Sequence, residues 1–271
     1  MDADTSAPEA GTDRPAFDVT VAHPARVYDY WLGGKDNYPA DKEAAERVIA
    51  LNPGIVEGVR SNRAFLKRAV RFLVEEAGVG QILDVGTGLP SADNVHEVAQ
   101  AVRPGTKVVY VDNDPIVNVH AHALLTGDPG TIAYIEADMR DPGRIMREAG
   151  ALLDYSRPVA LMILMTLQFV ADEDDPYGVV RSMLDELPPG SYLVVSHPVV
   201  DETGIANRAT AQYNEKVATS MKRRTPAEVG AFFDGLELVE PGLVTMHDWR
   251  PDDPDAPRTA SPAVCGVARK P

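Results

Sequence analysis

An α/β fold, with a doubly wound, mostly parallel sheet and an N-terminal helical cap, is the architecture predicted for this 271-residue chain. Three observations carry that expectation. From Gly80 onward, short apolar runs alternate with helix-like segments, the signature of parallel strands joined by crossover helices. Before Gly80 the apolar periodicity is helical and no strand-like run occurs. The segment Gln81-Ile-Leu-Asp-Val-Gly-Thr-Gly-Leu-Pro-Ser91 passes from an apolar strand into a glycine-rich turn, and Lys107-Val-Val-Tyr-Val-Asp112 follows one βαβ unit later. Open sheets of this kind bind ligands outside the carboxyl ends of their strands.

Taken in order, residues 1–18 are acidic and rich in Pro, Ala, Gly and Thr, and they read as a disordered tail. Residues 19–77 read as the helical cap, and 78–271 as a Rossmann-like domain. In the cap, Pro24 to Leu32 sets Val27, Tyr28, Trp31 and Leu32 on one helix face, and Gly33-Gly34 stops that helix. Asp41 is placed to cap a second helix that runs to Leu51 and ends at Asn52-Pro-Gly54. Ser61 or Asn62 is placed to cap a third, whose stripe runs from Phe65 to Val74. Strands are predicted at 81–85, 107–112, 131–135, 158–165 and 190–197, with helices at 92–102, 115–125, 141–150 and 176–187. Val159 to Met165 is apolar throughout, as a central strand buried on both faces requires. Past Pro198 a helical stretch at 204–220 precedes Thr225-Pro-Ala-Glu228, a capping-box start. Two last strands, 236–247 (broken by Pro241-Gly242) and 262–268, would add a hairpin, with a Pro- and Asp-rich loop at 249–261 between them.

Charge and cysteine content narrow the function. Lys plus Arg total 26 and Asp plus Glu 41, a net charge of −15 that repels nucleic acid at long range, so no nucleic-acid partner is expected. Two basic clusters, Arg60 with Arg63, Lys67, Arg68 and Arg71, and Lys222 to Arg224, read as solvated helix faces. The single cysteine, Cys265, excludes an intramolecular disulfide and a cysteine metal cluster, which suits a cytoplasmic location. No metal-ligand spacing appears among the six histidines. The N-terminus lacks the basic and apolar regions of a signal peptide, and the longest apolar run, Val159 to Val170, is too short to cross a bilayer, so no membrane partner is expected.

The glycine turn departs from the dinucleotide fingerprint G-x-G-x-x-G, because Ser91 occupies the third glycine position. Asp84 stands two residues before Gly86, awkward beside a pyrophosphate and suited to a cationic ligand. S-Adenosylmethionine carries a sulfonium and an ammonium, which favours a methyl donor here. A P-loop is excluded by the missing Gly-Lys-Ser/Thr. Asp112, at the tip of the second strand, can accept both ribose hydroxyls. Asp138 ends the third strand, where it can accept the adenine amine while the backbone of Met139 meets a ring nitrogen.

Residues 60–271 resemble the class I S-adenosylmethionine-dependent methyltransferase fold, a seven-stranded, mostly parallel sheet. The resemblance implies a donor loop of Asp84, Gly86 and Gly88, a ribose site at Asp112 and Asn113, and an adenine site framed by Asp138 and Met139. Leu89-Pro90-Ser91 departs from it, since many members carry a further glycine there. The N-terminal run Pro24-Ala-Arg-Val-Tyr-Asp-Tyr-Trp-Leu-Gly-Gly-Lys-Asp-Asn-Tyr-Pro-Ala-Asp41, with Asn62-Arg63-Ala-Phe65, looks like an actinobacterial methyltransferase family long catalogued as a domain of unknown function. Methyl transfer from S-adenosylmethionine to an unidentified acceptor is what this implies.

Within the cap, Arg63 is the candidate partner of the donor's carboxylate, since a guanidinium makes charge-assisted, bidentate contacts. Tyr28, Lys35 and Asn37 offer groups for the donor's carboxylate or the acceptor, and the Gly33-Gly34 break is placed to let the chain fold over the donor pocket. His197 is the candidate general base by type and place; Thr166, Gln168 and His247-Asp248 are further candidates. Leu164-Met-Thr-Leu-Gln168 stands where an Asn-Pro-Pro-aromatic signature of nucleic-acid amine methylation would lie, so a small-molecule acceptor is expected. Two other classes stay open from sequence: an NAD(P)-dependent oxidoreductase using the same turn, and a non-catalytic sensor of the donor.

Overall fold

The alternation of apolar side chains along each run decides which face of the sheet each one meets. In the computed structural model, which describes residues 18–124, 130–215, 217, 219–255 and 262–271, this produces one eight-stranded sheet. The tail expected at 1–18 lies, except for Asp18, outside the described residues. Five parallel strands form the body: β1 (Gln81–Val85), β2 (Lys107–Asp112), β3 (Ile132–Glu136), β4 (Ala160–Leu164) and β5 (Tyr192–Pro198). They stand in the order β3-β2-β1-β4-β5. The order reverses between β1 and β4, and that switch point opens a crevice at the strands' carboxyl ends. β8 (Ala263–Arg269) lies antiparallel to β5, and the short β6 (Glu237–Leu238) and β7 (Val244–Thr245) both pair with β8. The sequence predicts β6 and β7 as one strand broken at Pro241-Gly242; the break leaves two two-residue strands.

Both sheet faces are covered. On β4, Leu161 and Ile163 pack into one core and Ala160, Met162 and Leu164 into the other, the period-2 pattern of a strand buried on both sides. α6 (Pro142–Ala149) and α7 (Pro176–Asp185) cover the first face. The second is covered by α4 (Val95–Val102) and by α3 (Ile55–Arg71), which continues through a π-turn at Phe72–Glu76. Trp249, fully buried beside the acidic loop, locks α3 down: its ring meets Phe65 and Phe72 edge-on at 5.4 and 5.8 Å. Arg68 ties the same junction by donating to the Trp249 carbonyl at 2.9 Å.

α3 starts six residues before the predicted cap, at Ile55, because Ile55 and Val59 extend the apolar stripe backward. Asn62 is therefore buried inside the helix and does not cap it. α1 (Pro24–Leu32) and α2 (Pro39–Leu51) pack with α8 (Ile205–Asn214) into a separate cluster above the crevice. Asp41 sits at the third position of α2, where its carboxylate accepts the Tyr38 N–H at 2.8 Å. The same fully buried carboxylate accepts the His23 N–H at 2.9 Å and pairs with Arg26 at 3.2 Å, fastening α1 to α2. α5 (Pro115–Leu124) follows β2, and α9 (Pro226–Gly230) starts at the predicted Thr225–Glu228 box.

The basic clusters are engaged within the protein. Lys67 pairs with Asp93 at 2.9 Å, Arg71 with Asp252 at 2.7 Å, and Lys222 and Arg224 with Asp172. Cys265 is buried in the sheet core, and burial pushes its thiol well above the ordinary range. Among the described residues no helix is long and apolar enough to cross a membrane, and no group of His, Cys, Asp or Glu side chains is placed to hold a metal ion.

Candidate active site

One cavity occupies the switch-point crevice beneath α1 and α8. Of the predicted site residues, Tyr28, Arg63, Asp84, Gly86, Gly88, Asp112, Asn113, Asp138 and Met139 all line it; Gly34 and His197 do not.

The floor is built from strand ends. Asp84, the penultimate residue of β1, is buried, and burial drives its carboxyl up to about 6 against an ordinary value of 3.8, opposed by a Thr87 hydroxyl that donates to it at 2.6 Å. Gly86 takes φ +77°, and a Cβ there would lie 2.2 Å from the Thr166 side chain, so both conformation and contact require glycine. Gly88, at φ +68°, would carry a Cβ with nothing within 4 Å, so open space lies over it. The Gly88 N–H donates to Asp112 Oδ2 at 2.8 Å, and the Asp114 N–H to Oδ1 at 3.0 Å. Burial raises the Asp112 carboxyl while these two bonds oppose the rise. Asp138 is clamped by Arg140, which donates to its two oxygens at 3.0 and 2.6 Å and holds its carboxyl below the usual range. The glycine loop continues irregularly through residues 89–94 before α4 begins at Val95. Leu89, the first residue of the departing Leu89-Pro90-Ser91 segment, is buried against Ile116 and Val117.

The roof comes from the cap. His23, before α1, places Nδ1 2.9 Å from Asp114 Oδ2 and so joins the cap to the end of β2. Burial raises Asp114, but the His23 contact, the Ile116 N–H and the Arg26 charge together outweigh it and the net shift is downward. Tyr28 accepts from Asn62 Nδ2 at 3.0 Å, while Ser196 donates to Asn62 Oδ1 at 2.7 Å, so one buried amide bridges α1 and β5 across the cavity wall. Arg63 donates from Nη2 to the Ala92 and Asp93 carbonyls at 3.0 and 2.9 Å, and its charge stabilises ionised Asp84.

Sequence reasoning missed Asn62 as a site residue because its helical position resembled a cap. It also missed Met165, a non-glycine residue at φ +51° that lines the cavity just after β4. No local signal marks Met165; its N–H reaches the Ser196 carbonyl on the neighbouring strand at 3.0 Å.

Two assignments need correction. Gly34 serves the turn: a Cβ there would lie 1.9 Å from Asp29, whose carboxylate folds back to accept Asn37 Nδ2 at 2.7 Å and the Asp36 N–H at 3.0 Å. His197 is fully buried outside the cavity. Its Nδ1 meets the Pro198 carbonyl at 2.8 Å and its Nε2 meets Arg224 Nη1 at 2.9 Å. A guanidinium only donates, so Nε2 accepts and Nδ1 carries the proton. Burial, reinforced by the Arg224 charge, pulls the imidazole down to about 3. Such a ring stays neutral and has no path to an acceptor. His197→Ala is expected to leave a buried Arg224 donor unmatched and to lower stability by about 2–4 kcal/mol in urea denaturation, with donor affinity retained; a variant as stable as the parent would refute this structural role. Thr166 and Gln168 do line the cavity, whereas His247 and Asp248 do not.

A Rossmann-like sheet whose adjacent strands β1, β2 and β3 each send an acid to one crevice at the switch point is the arrangement of class I methyltransferases. The chain belongs to the S-adenosyl methyltransferase family, whose profile matches residues 10–271. It is similar to a DUF574 family protein from Streptomyces avermitilis, at 46% identity over 94% of this chain and 99% of that one, with a TM-score of 0.90. It is also similar to a candidate methyltransferase from Thermobifida fusca, at 41% identity over 93% and 96% of the two chains and a TM-score of 0.87. At 13% identity, a SAM-dependent methyltransferase from Anabaena variabilis shares the fold, with a TM-score of 0.54 over 77% of this chain and 84% of that one. No curated protein matches. The protein is thus an S-adenosylmethionine-dependent methyltransferase, which sets aside the dinucleotide and sensor alternatives.

Proposed function

We propose that the enzyme methylates a small molecule held between the strand ends and the helical lid, with Asp84, Gly86, Gly88, Asp112, Asn113, Asp138 and Met139 holding the donor. The observation that carries this is the convergence of Asp84, Asp112 and Asp138 on one cavity. The residues fit the donor chemically. Asp112 is oriented by two backbone N–H groups, and each oxygen keeps a lone pair for a ribose hydroxyl. Asp84 lies where an ionised carboxylate would meet the donor's positive charge. Arg63 spends Nη2 on the loop carbonyls and retains its remaining N–H groups for a carboxylate.

The donor supplies a methyl group already activated on a sulfonium. What remains for the protein is alignment and exclusion of water. Tyr28 and Asn62 fix the lid against β5, and Met165 and Thr166 shape the floor beside the glycine loop. His23 is the one histidine among the described lining residues, so the site favours an acceptor that needs little help in losing a proton.

Functionally, residues 19–77 act as the cap and 78–271 as the methyltransferase domain, with α3 serving both. The net charge of −15 and the internal pairing of Lys67, Arg71, Lys222 and Arg224 support a small acceptor over nucleic acid. A single buried cysteine supports a cytoplasmic location, and the Streptomyces and Thermobifida relatives support an actinobacterial origin.

Asp112→Ala tests the donor site. It removes the ribose acceptor and frees the Gly88 and Asp114 N–H groups, and a loss of S-adenosylhomocysteine affinity of about 30-fold or more is expected by calorimetry. Unchanged affinity would overturn the ribose assignment.

A further inference from the structure

The cavity's acids are gathered on one side, where Arg63 and Arg140 accompany them. These three acids, Asp84, Asp112 and Asp138, all stand at the strand ends of the donor half. The other half, under α1, α2 and α8, is walled by Trp31, Val48, Ile55, Val59, Phe169 and Tyr213. Into this apolar chamber comes one further cation, Arg223. Its Nε donates to Thr210 at 2.7 Å and its Nη1 to the Val199 carbonyl at 2.9 Å and the Pro262 carbonyl at 3.3 Å. Among the described residues it forms no ion pair, and its Nη2 has no hydrogen-bond partner. Arg223 feels the charge of Asp201, but that carboxylate is occupied by Thr203 and by the Asn207 N–H at 3.2 Å. Burial lowers the guanidinium to about 10, so it remains charged at neutral pH.

A half-buried, unpaired guanidinium on an apolar wall is costly to the free protein and favourable when an anion meets it. Neighbouring Arg224 shows the contrast, because its charge is matched by Asp172. Aromatic walls with one charged group among a few neutral polar ones, Thr210 and Gln168 included, favour a ring system carrying an anionic substituent. We propose that the acceptor is an aromatic or similarly flat apolar molecule bearing a carboxylate or equivalent anionic group, seated among Trp31, Phe169 and Tyr213 with the anion on Arg223. This deepens the methyltransferase reading and rests on it: the acids keep an anionic acceptor out of the donor's place, and Arg223 gives its anion a partner on the far side.

The experiment is a calorimetric comparison of 2-naphthoate with its neutral counterpart 2-naphthylmethanol, using the full chain saturated with S-adenosylhomocysteine. Wild type is expected to bind the carboxylate about tenfold more tightly than the alcohol. Arg223→Gln is expected to reduce that preference to within about twofold while S-adenosylhomocysteine still binds, and Arg223→Lys to retain part of it. Equal affinities in wild type, binding of neither probe, or a preference that survives in Arg223→Gln would overturn the proposal. If the glutamine variant does not fold, the wild-type pair decides by itself. A carboxylate preference in a protein that fails to bind S-adenosylhomocysteine would instead overturn the donor assignment and leave the acceptor chamber standing.

Discussion

Replacing Asp84 with asparagine is expected to stabilise the ligand-free protein and to weaken donor binding on the order of 100-fold. The two effects have one cause, a carboxylate held in a buried place to meet a cation. Its pKa of about 6 in the folded protein lies above the ordinary 3.8, so the native state binds the proton more tightly than the unfolded chain. That advantage is fully present below pH 3.8 and is lost as pH rises through 6. At pH 8 the ionised, buried group therefore opposes folding by about 3 kcal/mol, from a shift of about two units at 1.36 kcal/mol each. Asparagine removes this penalty, and the stability gained should fall by about half at pH 5. Thermal melts of the two proteins at both pH values measure the gain, and calorimetry with S-adenosylhomocysteine and S-adenosylmethionine measures the loss. The loss should be larger for the sulfonium-bearing ligand. A variant that is no more stable at pH 8, or that binds both ligands as wild type does, would remove Asp84 from the role of buried counter-ion. Functional groups stored at a cost to stability are a general feature of active sites.

Gly86→Val is expected to abolish donor binding and to lower stability by at least about 2 kcal/mol. Two independent penalties act. A β-branched residue at φ +77° is strained by roughly 1–2 kcal/mol. Its Cβ would also lie 2.2 Å from Thr166, which donates to the Gly86 and Leu164 carbonyls and joins the ends of β1 and β4. The loop must move, and with it the Gly88 N–H that orients Asp112. Gly88→Ala provides the comparison, because its Cβ has nothing within 4 Å, although φ +68° still strains it. Gly86→Val should lose more stability than Gly88→Ala in denaturant titrations. Equal effects would show that backbone conformation alone, without the Thr166 contact, sets the requirement for glycine at Gly86.

Much of this was legible in the chain. The unbroken apolar run Val159 to Met165 marked β4 as a central strand, since a run that is apolar at every position satisfies two cores at once. Acids ending three successive apolar runs marked residues that line one cavity, because strand ends in a parallel sheet share one edge. Thr225-Pro-Ala-Glu228 fixed the start of α9, because the signal is local and self-contained. His197 was misplaced for the opposite reason. Its residue type and its position after a strand matched those of a base, but which way its ring turns depends on Arg224, 27 residues away, and on Phe232 stacked at 6.3 Å. Gly34 was assigned to the site on proximity to the aromatic run, whereas the demand for glycine comes from Asp29.

Local pattern thus determined the strands of the parallel body and the acids that end them, because period, capping and glycine conformation act over a few residues. Tertiary structure alone decided that Asn62 bridges α1 and β5, that α8 lines the cavity, and that Arg223 lines it without an ion pair among the described residues. These depend on contacts between segments far apart in the chain, 134 residues for Asn62 and Ser196 and more for α2 and α8. Only folding sets which polar groups find partners and which remain for a ligand.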